Sequence, residues 1–352
     1  MVDVSCDLCG SNSHSLKYEI DISEKNLRFY RYTRNVPDKE KFAGKHKIVT
    51  CNDCGLVFTN PRFTTEELEI VYSSEKIIGG NWKYFKYLFD ETQPDEIRKT
   101  KSKAVYDPSF YQWKFDIIKK YCDKAPGEVK LLDVGCGDGR FVFDAFHRGY
   151  DVTGIDLSPD RVEQGIKHYN LSENMLRCMN IDEFSSDEKF DVIVMFDLIE
   201  HVESPATVLQ NLKKITHENS IVLMLTMSMD SITYKLFKKN WYYINPSQHL
   251  HYFSHNTMSK MLERNDFELL GVEMDDSKDK NFIHLIYRMI IGFINQFFFY
   301  IYTKKSFLRF FFRPFQKGIS DERMLERLEN LYPGKYVGRY HDNFVFVAKP
   351  KK

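Results

Sequence analysis

The chain has 352 residues, and its 50 lysines and arginines balance 50 aspartates and glutamates, so the net charge is zero. This length allows one large domain with a smaller one beside it, and the balanced charge argues against a protein that mainly coats nucleic acid. The N-terminus lacks the basic and apolar stretches of a secretory signal peptide. Four of the seven cysteines form C-x-x-C pairs, which indicates metal ligands in a reducing compartment. The cytoplasm is therefore the expected location.

The paired cysteines lie in CDLCG, 6–10, and CNDCG, 51–55. The glycine after each pair eases a turn that directs backbone N–H groups at thiolate sulfur. Four thiolates suit tetrahedral zinc in a closed, structural shell, which predicts Zn²⁺ on Cys6, Cys9, Cys51 and Cys54. Between the pairs, LRFYRYTR at 27–34 mixes basic and aromatic residues. It fits a nucleic-acid contact, a strand with one solvated face, or a site for a phosphorylated sugar, of which the last two are favoured.

Helical patterns dominate the segment that follows the cysteines, and strands alternate with helices from Val129 onward. The predicted helices of this second part are 139–148, 158–169, 205–215 and 256–265. The predicted strands are 129–134, 151–156, 175–179, 190–196, 220–226, 267–274 and 343–350. This alternation predicts an α/β fold with a largely parallel sheet and crossover helices.

A glycine loop, DVGCGDG at 133–139, connects the first of these strands to a helix. Gly135, Gly137 and Gly139 let the backbone approach a ligand closely. The spacing G-x-G-x-G differs from the G-x-G-x-x-G of dinucleotide-binding folds, and Asp138 inside the loop would repel a pyrophosphate. The loop suits a ligand with an amino group and a positive centre. Asp156 ends the second strand, where it can accept hydrogen bonds from both hydroxyls of a ribose.

These residues resemble motifs I and II of the class I S-adenosylmethionine-dependent methyltransferases, over roughly 110–274 with the final strand. The resemblance implies a Rossmann-like seven-stranded sheet whose last strand is antiparallel. It assigns the methionine part of the donor to Asp133 and the 135–139 loop, and the ribose to Asp156. It also implies further donor contacts on the adenine and along the fourth strand, from Leu157, Asn180 or its rival Asp182, Phe196 and Asp197.

Two loops at the carboxyl ends of strands carry histidines that could act as a base for the methyl acceptor. DLIEHV holds Glu200 and His201, and WYYINPSQHLHYFS holds His249 and His251. The second loop resembles that of sugar C-methyltransferases, and this resemblance makes His249 the first choice, with His201 and His251 behind it. Gln248 replaces the glutamate of that family. DLIEHV also resembles ubiquinone-type O-methyltransferases, which implies a possible divalent cation at Asp197, Glu200 and His201.

The cysteine region, CNDCGLVFTNPRFTTEEL, resembles the zinc ribbon that precedes many bacterial methyltransferase domains associated with surface polysaccharides. We therefore predict a zinc-ribbon domain at 1–62, a helical connector at 63–128, a methyltransferase domain at 129–275 and 341–352, and a hydrophobic helical insertion at 276–340. The insertion contains FIHLIYRMIIGFINQFFFYIY, 282–302. It fits a buried helix pair, a membrane-facing or lipid-substrate surface, or a membrane span, and we expect peripheral membrane contact through 282–317 as one alternative.

The expected function is methyl transfer from S-adenosylmethionine to a nucleotide- or lipid-linked sugar, with O-methylation favoured over C-methylation. Three alternatives remain open: a ubiquinone-type small-molecule O-methyltransferase, an RNA methyltransferase and a non-catalytic donor-binding subunit. DLIEHV lacks the N/D-P-P-Y pattern of base-amine methylation, and together with the neutral charge this makes nucleic acid a disfavoured partner. The oligomeric state does not follow from the sequence.

Overall fold

The computed structural model describes residues 1–22, 43–73, 111–184, 189–241, 243–274 and 342–351. The segment 27–34 and the predicted insertion 276–340, with its proposed membrane contact, lie outside these ranges. Among the described residues, no helix is long and apolar enough to cross a membrane.

Eleven named strands lie in the described ranges. They are β1 (His14–Ile22), β2 (Gly44–Cys51), β3 (Val57–Thr59), β4 (Lys130–Val134), β5 (Asp151–Asp156), β6 (Leu176–Cys178), β7 (Phe190–Phe196), β8 (Thr216–Met227), β9 (His251–Tyr252), β10 (Phe267–Glu273) and β11 (Asn343–Pro350). The helices are α1 (Thr65–Ser73), α2 (Gln112–Tyr121), α3 (Arg140–His147), α4 (Pro159–Tyr169), α5 (Pro205–Lys214), α6 (Ile232–Phe237) and α7 (His255–Arg264), with 3-10 turns at Pro126–Glu128 and Lys238–Asn240.

Serine side chains begin three of the helices that cover the large sheet. Ser158, Ser204 and Ser254 each accept a hydrogen bond from a backbone N–H in the first turn of α4, α5 and α7. Proline follows the serine at the start of α4 and α5, where its missing N–H costs no helical hydrogen bond. These caps explain why the helices begin within a residue or so of their predicted positions.

The seven-stranded sheet has the order β10-β11-β8-β7-β4-β5-β6. Strand β11 runs antiparallel to β8 and β10, whereas β4 to β8 are mutually parallel. The predicted Rossmann-like α/β fold with an antiparallel last strand is thus confirmed. Because β4, β5 and β7 are parallel neighbours, the glycine loop, Asp156 and the DLIEHV turn all emerge at one edge of the sheet.

A second sheet, of order β1-β2-β3-β9, joins the N-terminal region to the loop that follows β8. Strand β9 pairs antiparallel with β3, so Val57 lies opposite Tyr252 and Phe58 opposite His251. A hydrophobic cluster shared by the two regions lies beside this sheet and includes Ile48, Phe63, Trp241 and Leu250. The N-terminal region therefore shares both a sheet and a hydrophobic cluster with the histidine loop. The domain boundaries at 62, 128 and 275 stay predictions.

Candidate functional site

The four paired cysteines converge in one cluster. The Cys6 and Cys54 sulfurs are 3.5 Å apart and those of Cys9 and Cys51 are 3.4 Å apart, and all four Sγ atoms lie within 4.8 Å of one another. Zinc–sulfur bonds of about 2.3 Å in a tetrahedron require sulfur separations of about 3.8 Å, so the cluster fits one zinc ion with little adjustment. The predicted ligands are therefore placed together, and zinc on them stays a prediction.

The glycine loop turns directly over the end of β5. Gly135, Gly137 and Gly139 all have positive φ, and Gly137 N–H donates to Asp156 Oδ2 at 2.8 Å. Ser158 N–H donates to Asp156 Oδ1 at 2.9 Å. Each carboxylate oxygen thus accepts one backbone hydrogen bond and keeps a lone pair for a further donor. The paired hydroxyls of a ribose supply two such donors.

Two further acids of this loop are shielded from water, Asp133 almost completely and Asp138 in part. Burial raises the pKa of Asp133 to about 7, against the opposing effect of the Lys114 ammonium. Burial likewise raises the pKa of Asp138. Burial disfavours the ionised form of a carboxyl group, and a nearby positive charge favours it again. These two acids therefore favour a ligand that carries a positive charge. An ammonium or sulfonium centre fits this surrounding, and a pyrophosphate does not.

The residues expected around an adenine lie in different environments. Leu157 has 66% of its surface exposed just after the end of β5, so its side chain is accessible to a ligand. Asn180 is half-buried, and its side chain accepts a hydrogen bond from Asp182 N–H at 3.2 Å. The carboxylate of Asp182 accepts from Asn211 Nδ2 at 2.6 Å, on α5. The choice between Asn180 and Asp182 for the adenine amine stays open.

His201 and His249 come together although they lie on separate loops. Their ring centroids are 4.8 Å apart, and their ring nitrogens cluster with the Glu200 carboxylate within 4.8 Å. His249 Nδ1 lies 2.6 Å from the carbonyl oxygen of Tyr243, and His201 Nδ1 lies 3.1 Å from that of Gln248. Since a carbonyl can only accept, each Nδ1 carries the proton and each Nε2 the lone pair.

Burial sets the protonation of this cluster. It lowers the pKa of His201 to about 3, with a further contribution from the neighbouring His249, and that of His249 to about 4. Burial also raises the pKa of Glu200 to about 8, aided by the charge of Asp197, while Thr226 Oγ1–H donates to Glu200 Oε2 at 2.9 Å. At neutral pH both rings are uncharged, the form in which a histidine can accept a proton.

The structure groups the remaining candidates differently from the sequence interpretation. His251 is buried outside the group that Glu200 forms with His201 and His249, its ring stacks on Phe253, and burial lowers its pKa to about 3. Asp197 has a φ of 55° and its carboxylate interacts with the Lys114 ammonium, so it lies outside the cluster of Glu200 with the histidines. Of the ligand set expected for a divalent cation, Glu200 and His201 are brought together with His249, and Asp197 lies outside this group. A cation there stays a prediction.

The chain also matches known proteins over its α/β region. Residues 106–272 match a family model described as a methyltransferase domain. A ubiquinone biosynthesis O-methyltransferase of Actinobacillus pleuropneumoniae serotype 5b is 32% identical over 165 residues, covering 42% of this chain and 69% of that protein. The enzyme of the same name from Rickettsia bellii is 26% identical over 165 residues, covering 44% and 68%. The chain belongs to the class I S-adenosylmethionine-dependent methyltransferases.

Among solved structures, this methyltransferase is similar to an S-adenosylmethionine-dependent methyltransferase from Thiobacillus denitrificans in complex with S-adenosyl-L-homocysteine. The sequence identity is 15% and the TM-score is 0.42, and the match covers 76% of this chain and 98% of that chain.

Lys114 of the methyltransferase is a cleft residue that the sequence interpretation missed. Only 7% of it is exposed, and its ammonium lies 3.5 Å from the ring centroid of Phe196, one of the predicted donor contacts. The signal is its position on α2, because Lys114, Ile117 and Ile118 are buried on one helical face. A cation in an otherwise apolar stripe is costly without partners, and Lys114 meets the charges of Asp133 and Asp197.

Gly165 is a second residue that the sequence interpretation missed. It lies on α4 against the glycine loop, and a Cβ there would fall 2.1 Å from the carbonyl oxygen of Asp138. Only a glycine allows the helix to approach the loop this closely. The donor loop is therefore held from outside by α4, and no spacing rule within the loop itself predicts that contact.

Proposed function

We propose that this methyltransferase methylates a hydroxyl group of a small acceptor, a sugar carried by a nucleotide or a lipid. The observation that carries the proposal is the pairing of the partly buried His201 ring with the buried His249 ring, 4.8 Å apart between centroids, beside the donor loop. A Cβ at Gly135 would fall 2.9 Å from Leu198 Cδ1, so the loop packs directly against the turn that holds His201. A base next to the donor is needed when the acceptor atom carries a proton.

The residues of the glycine loop and its surroundings are suited to hold the methyl donor. S-adenosylmethionine supplies a methyl group on a cationic sulfur, which leaves with the bonding electrons as a neutral thioether. Asp156 would accept hydrogen bonds from its ribose, and Leu157 would contact its adenine. Asp133 and Lys114 offer charges complementary to its ammonium and carboxylate groups. These contacts align the donor, and alignment supplies most of the acceleration of a displacement of this kind.

The histidine pair can then receive the proton that the acceptor hydroxyl loses. Hydrogen bonding to the Tyr243 carbonyl fixes His249 Nδ1 as the donor, which leaves its Nε2 as the basic atom. Glu200 Oε1 lies 3.9 Å from His201 Nε2. Because burial raises the pKa of Glu200 to about 8, this carboxyl group stabilises a protonated ring only when it is ionised. We assign the base to His249, with His201 next to it and His251 as a supporting residue. Gln248 cannot supply a carboxyl partner, and among the described residues the carboxyl group within 4.8 Å of both rings is that of Glu200.

A second candidate acceptor is a hydroxyl compound of ubiquinone biosynthesis, favoured by the names of the relatives reported above. These relatives also support O-methylation over C-methylation. The two candidates share the donor site and the base, and they differ only in the acceptor.

Incubation with S-adenosylmethionine labelled in the methyl group tests the assignment. The acceptors are a panel of nucleotide sugars, lipid-linked sugars and phenolic precursors of ubiquinone, each with the wild type and with His249→Gln. Methylation of a sugar hydroxyl that falls by about a hundredfold or more in His249→Gln supports the first proposal. Methylation of the phenols alone selects the second candidate. Transfer to neither class, by protein that binds the donor product, contradicts both.

A further inference from the structure

The backbone that carries the candidate base is fixed between two parts of the chain. We call residues 249–251 the histidine segment. On one side, the N–H groups of Leu250 and His251 donate to the Glu200 carbonyl at 2.8 and 3.1 Å. On the other side, Thr59 N–H donates to the Leu250 carbonyl at 2.9 Å, and Thr59 Oγ1–H donates to the His249 carbonyl at 3.0 Å. Thr59 lies on β3, which begins three residues after Cys54.

The turn that carries His201 is held by the same N-terminal region. Asp7, between Cys6 and Cys9, accepts hydrogen bonds from Ser204 Oγ–H at 2.6 Å and from Ala206 N–H at 2.9 Å. These two donors form the start of α5, three residues after His201. An acid at the N-terminus of a helix is stabilised by the helix dipole as well as by these hydrogen bonds.

Further contacts hold the paired cysteines against the methyltransferase fold. Arg264 Nη1 donates to the Leu8 carbonyl at 2.9 Å, and Lys260 Nζ to the Cys54 carbonyl at 3.4 Å, both from α7. Arg62 Nη1 donates to the Glu203 carbonyl at 2.8 Å. Each of these hydrogen bonds joins residues that are far apart in the sequence, and each one ends on a cysteine pair or on the His201 turn.

We propose that the four-cysteine region positions both active-site histidines, with Thr59 setting His249 and Asp7 setting His201. This positioning role rests on the proposed function only because it treats the two histidines as part of the acceptor site. The four sulfurs fit zinc, and a closed thiolate shell would fix Cys6 and Cys54 relative to each other. Asp7 and β3 are adjacent in sequence to those two cysteines. The metal site thereby acts on the acceptor side of the enzyme and leaves the donor side unaffected.

Thr59→Val tests the first half of the proposal, because valine keeps the branched shape and lacks the hydroxyl donor. With the zinc-loaded full chain and ¹⁵N-labelled histidine, we expect the ring resonances of His249 to shift and those of His217 to stay unchanged. Hydrogen exchange of the Leu250 and His251 amides should be roughly five- to tenfold faster, as for the loss of one buried hydrogen bond. Thr59→Ser should restore both signals. Thr50→Val, the same change at a half-buried site on β2, should shift neither.

Asp7→Asn tests the second half, with Asp53→Asn as control, since Asp53 is an exposed acid of the other cysteine pair. We expect the His201 ring resonances to shift in Asp7→Asn alone. Removal of zinc with a chelator should change both histidines. In each case the dissociation constant for S-adenosyl-L-homocysteine should change by less than about threefold, because the hydrogen bonds of Thr59 and Asp7 end on the histidine segment and on the start of α5, not on the donor loop.

Neither readout needs an acceptor, so the result is independent of which compound is methylated. If an acceptor is found, kcat should fall roughly tenfold in Thr59→Val, with the KM for the donor unchanged. Unchanged His249 resonances and amide exchange in Thr59→Val would overturn the proposal. A loss of affinity for S-adenosyl-L-homocysteine as large as the increase in amide exchange would also overturn it, because that result would indicate general destabilisation.

Discussion

Asp156→Asn gives the most direct test of the donor site. The aspartate holds the loop through Gly137 and Ser158 and keeps one lone pair on each oxygen for the ribose. Asparagine has a single acceptor oxygen. Its NH₂ group cannot accept a hydrogen bond, so one of the two ribose hydroxyls loses its acceptor. A hydrogen bond to a charged group is worth about 1.5–3 kcal/mol, so losing one and weakening the other should cost about 2–3 kcal/mol. The affinity for S-adenosyl-L-homocysteine should fall roughly 30- to 150-fold.

Isothermal titration calorimetry at fixed salt and pH measures this change. Asp160→Asn is the matched control, since Asp160 is exposed in the first turn of α4, four residues further on. Its dissociation constant should stay within about twofold of the wild type. Folding of both variants is checked by near-ultraviolet circular dichroism. A well-folded Asp156→Asn protein whose affinity differs from the wild type by less than threefold would refute the assignment of the ribose to Asp156.

Three other predictions follow from contacts described above. Gly165→Ala should destabilise the fold by about 1–3 kcal/mol in urea unfolding and weaken donor binding, because its Cβ would press on the Asp138 carbonyl; Gly127→Ala, with no neighbour closer than 4.0 Å, should do neither. The pKa of His249 is about 4 in the fold against an ordinary 6.5, so the unfolded chain takes up the proton first and stability falls as the pH drops through this window. Between pH 7 and pH 5 the free energy of unfolding of His249→Gln, measured by urea unfolding, should therefore fall by about 2 kcal/mol less than that of the wild type. An equal fall in both proteins would contradict a buried, neutral His249 ring. Cys9→Ser should abolish zinc binding measured by mass spectrometry, whereas Cys122→Ser, outside the cluster, should retain one zinc per chain.

The sequence predicted the strands of the large sheet well, because a buried parallel strand is a short apolar run with marked ends. Strands β5, β7 and β11 begin and end at the predicted residues. Strand β8 was predicted to begin at 220 and begins at Thr216, since its first residues are polar and pair with β7 only through an irregular register. The glycine loop was predictable for the same local reason, because its residues are consecutive in the chain.

The contacts that assemble the histidine site had no such local signal. The pairing of β3 with β9 joins short segments of three and two residues, too short for a periodic pattern to show. The sequence also offered Asp197 as a companion of Glu200, but Asp197 lies outside the group of potential ligand atoms that Glu200 forms with the histidines. His249 takes that place from a distant loop. Local spacing therefore identified the right types of residue and could not identify which of them meet.

The short strand β9 also has a consequence for how the protein is made. Thr59 and its hydrogen-bond partner His249 are 190 positions apart, so at about 5–20 residues per second the ribosome needs roughly 10–40 s to deliver the second after the first. Throughout that interval β3 has an open edge, which is a surface on which unrelated chains can assemble. A nascent chain stalled before residue 249 should thus be a better client for chaperones than the finished enzyme.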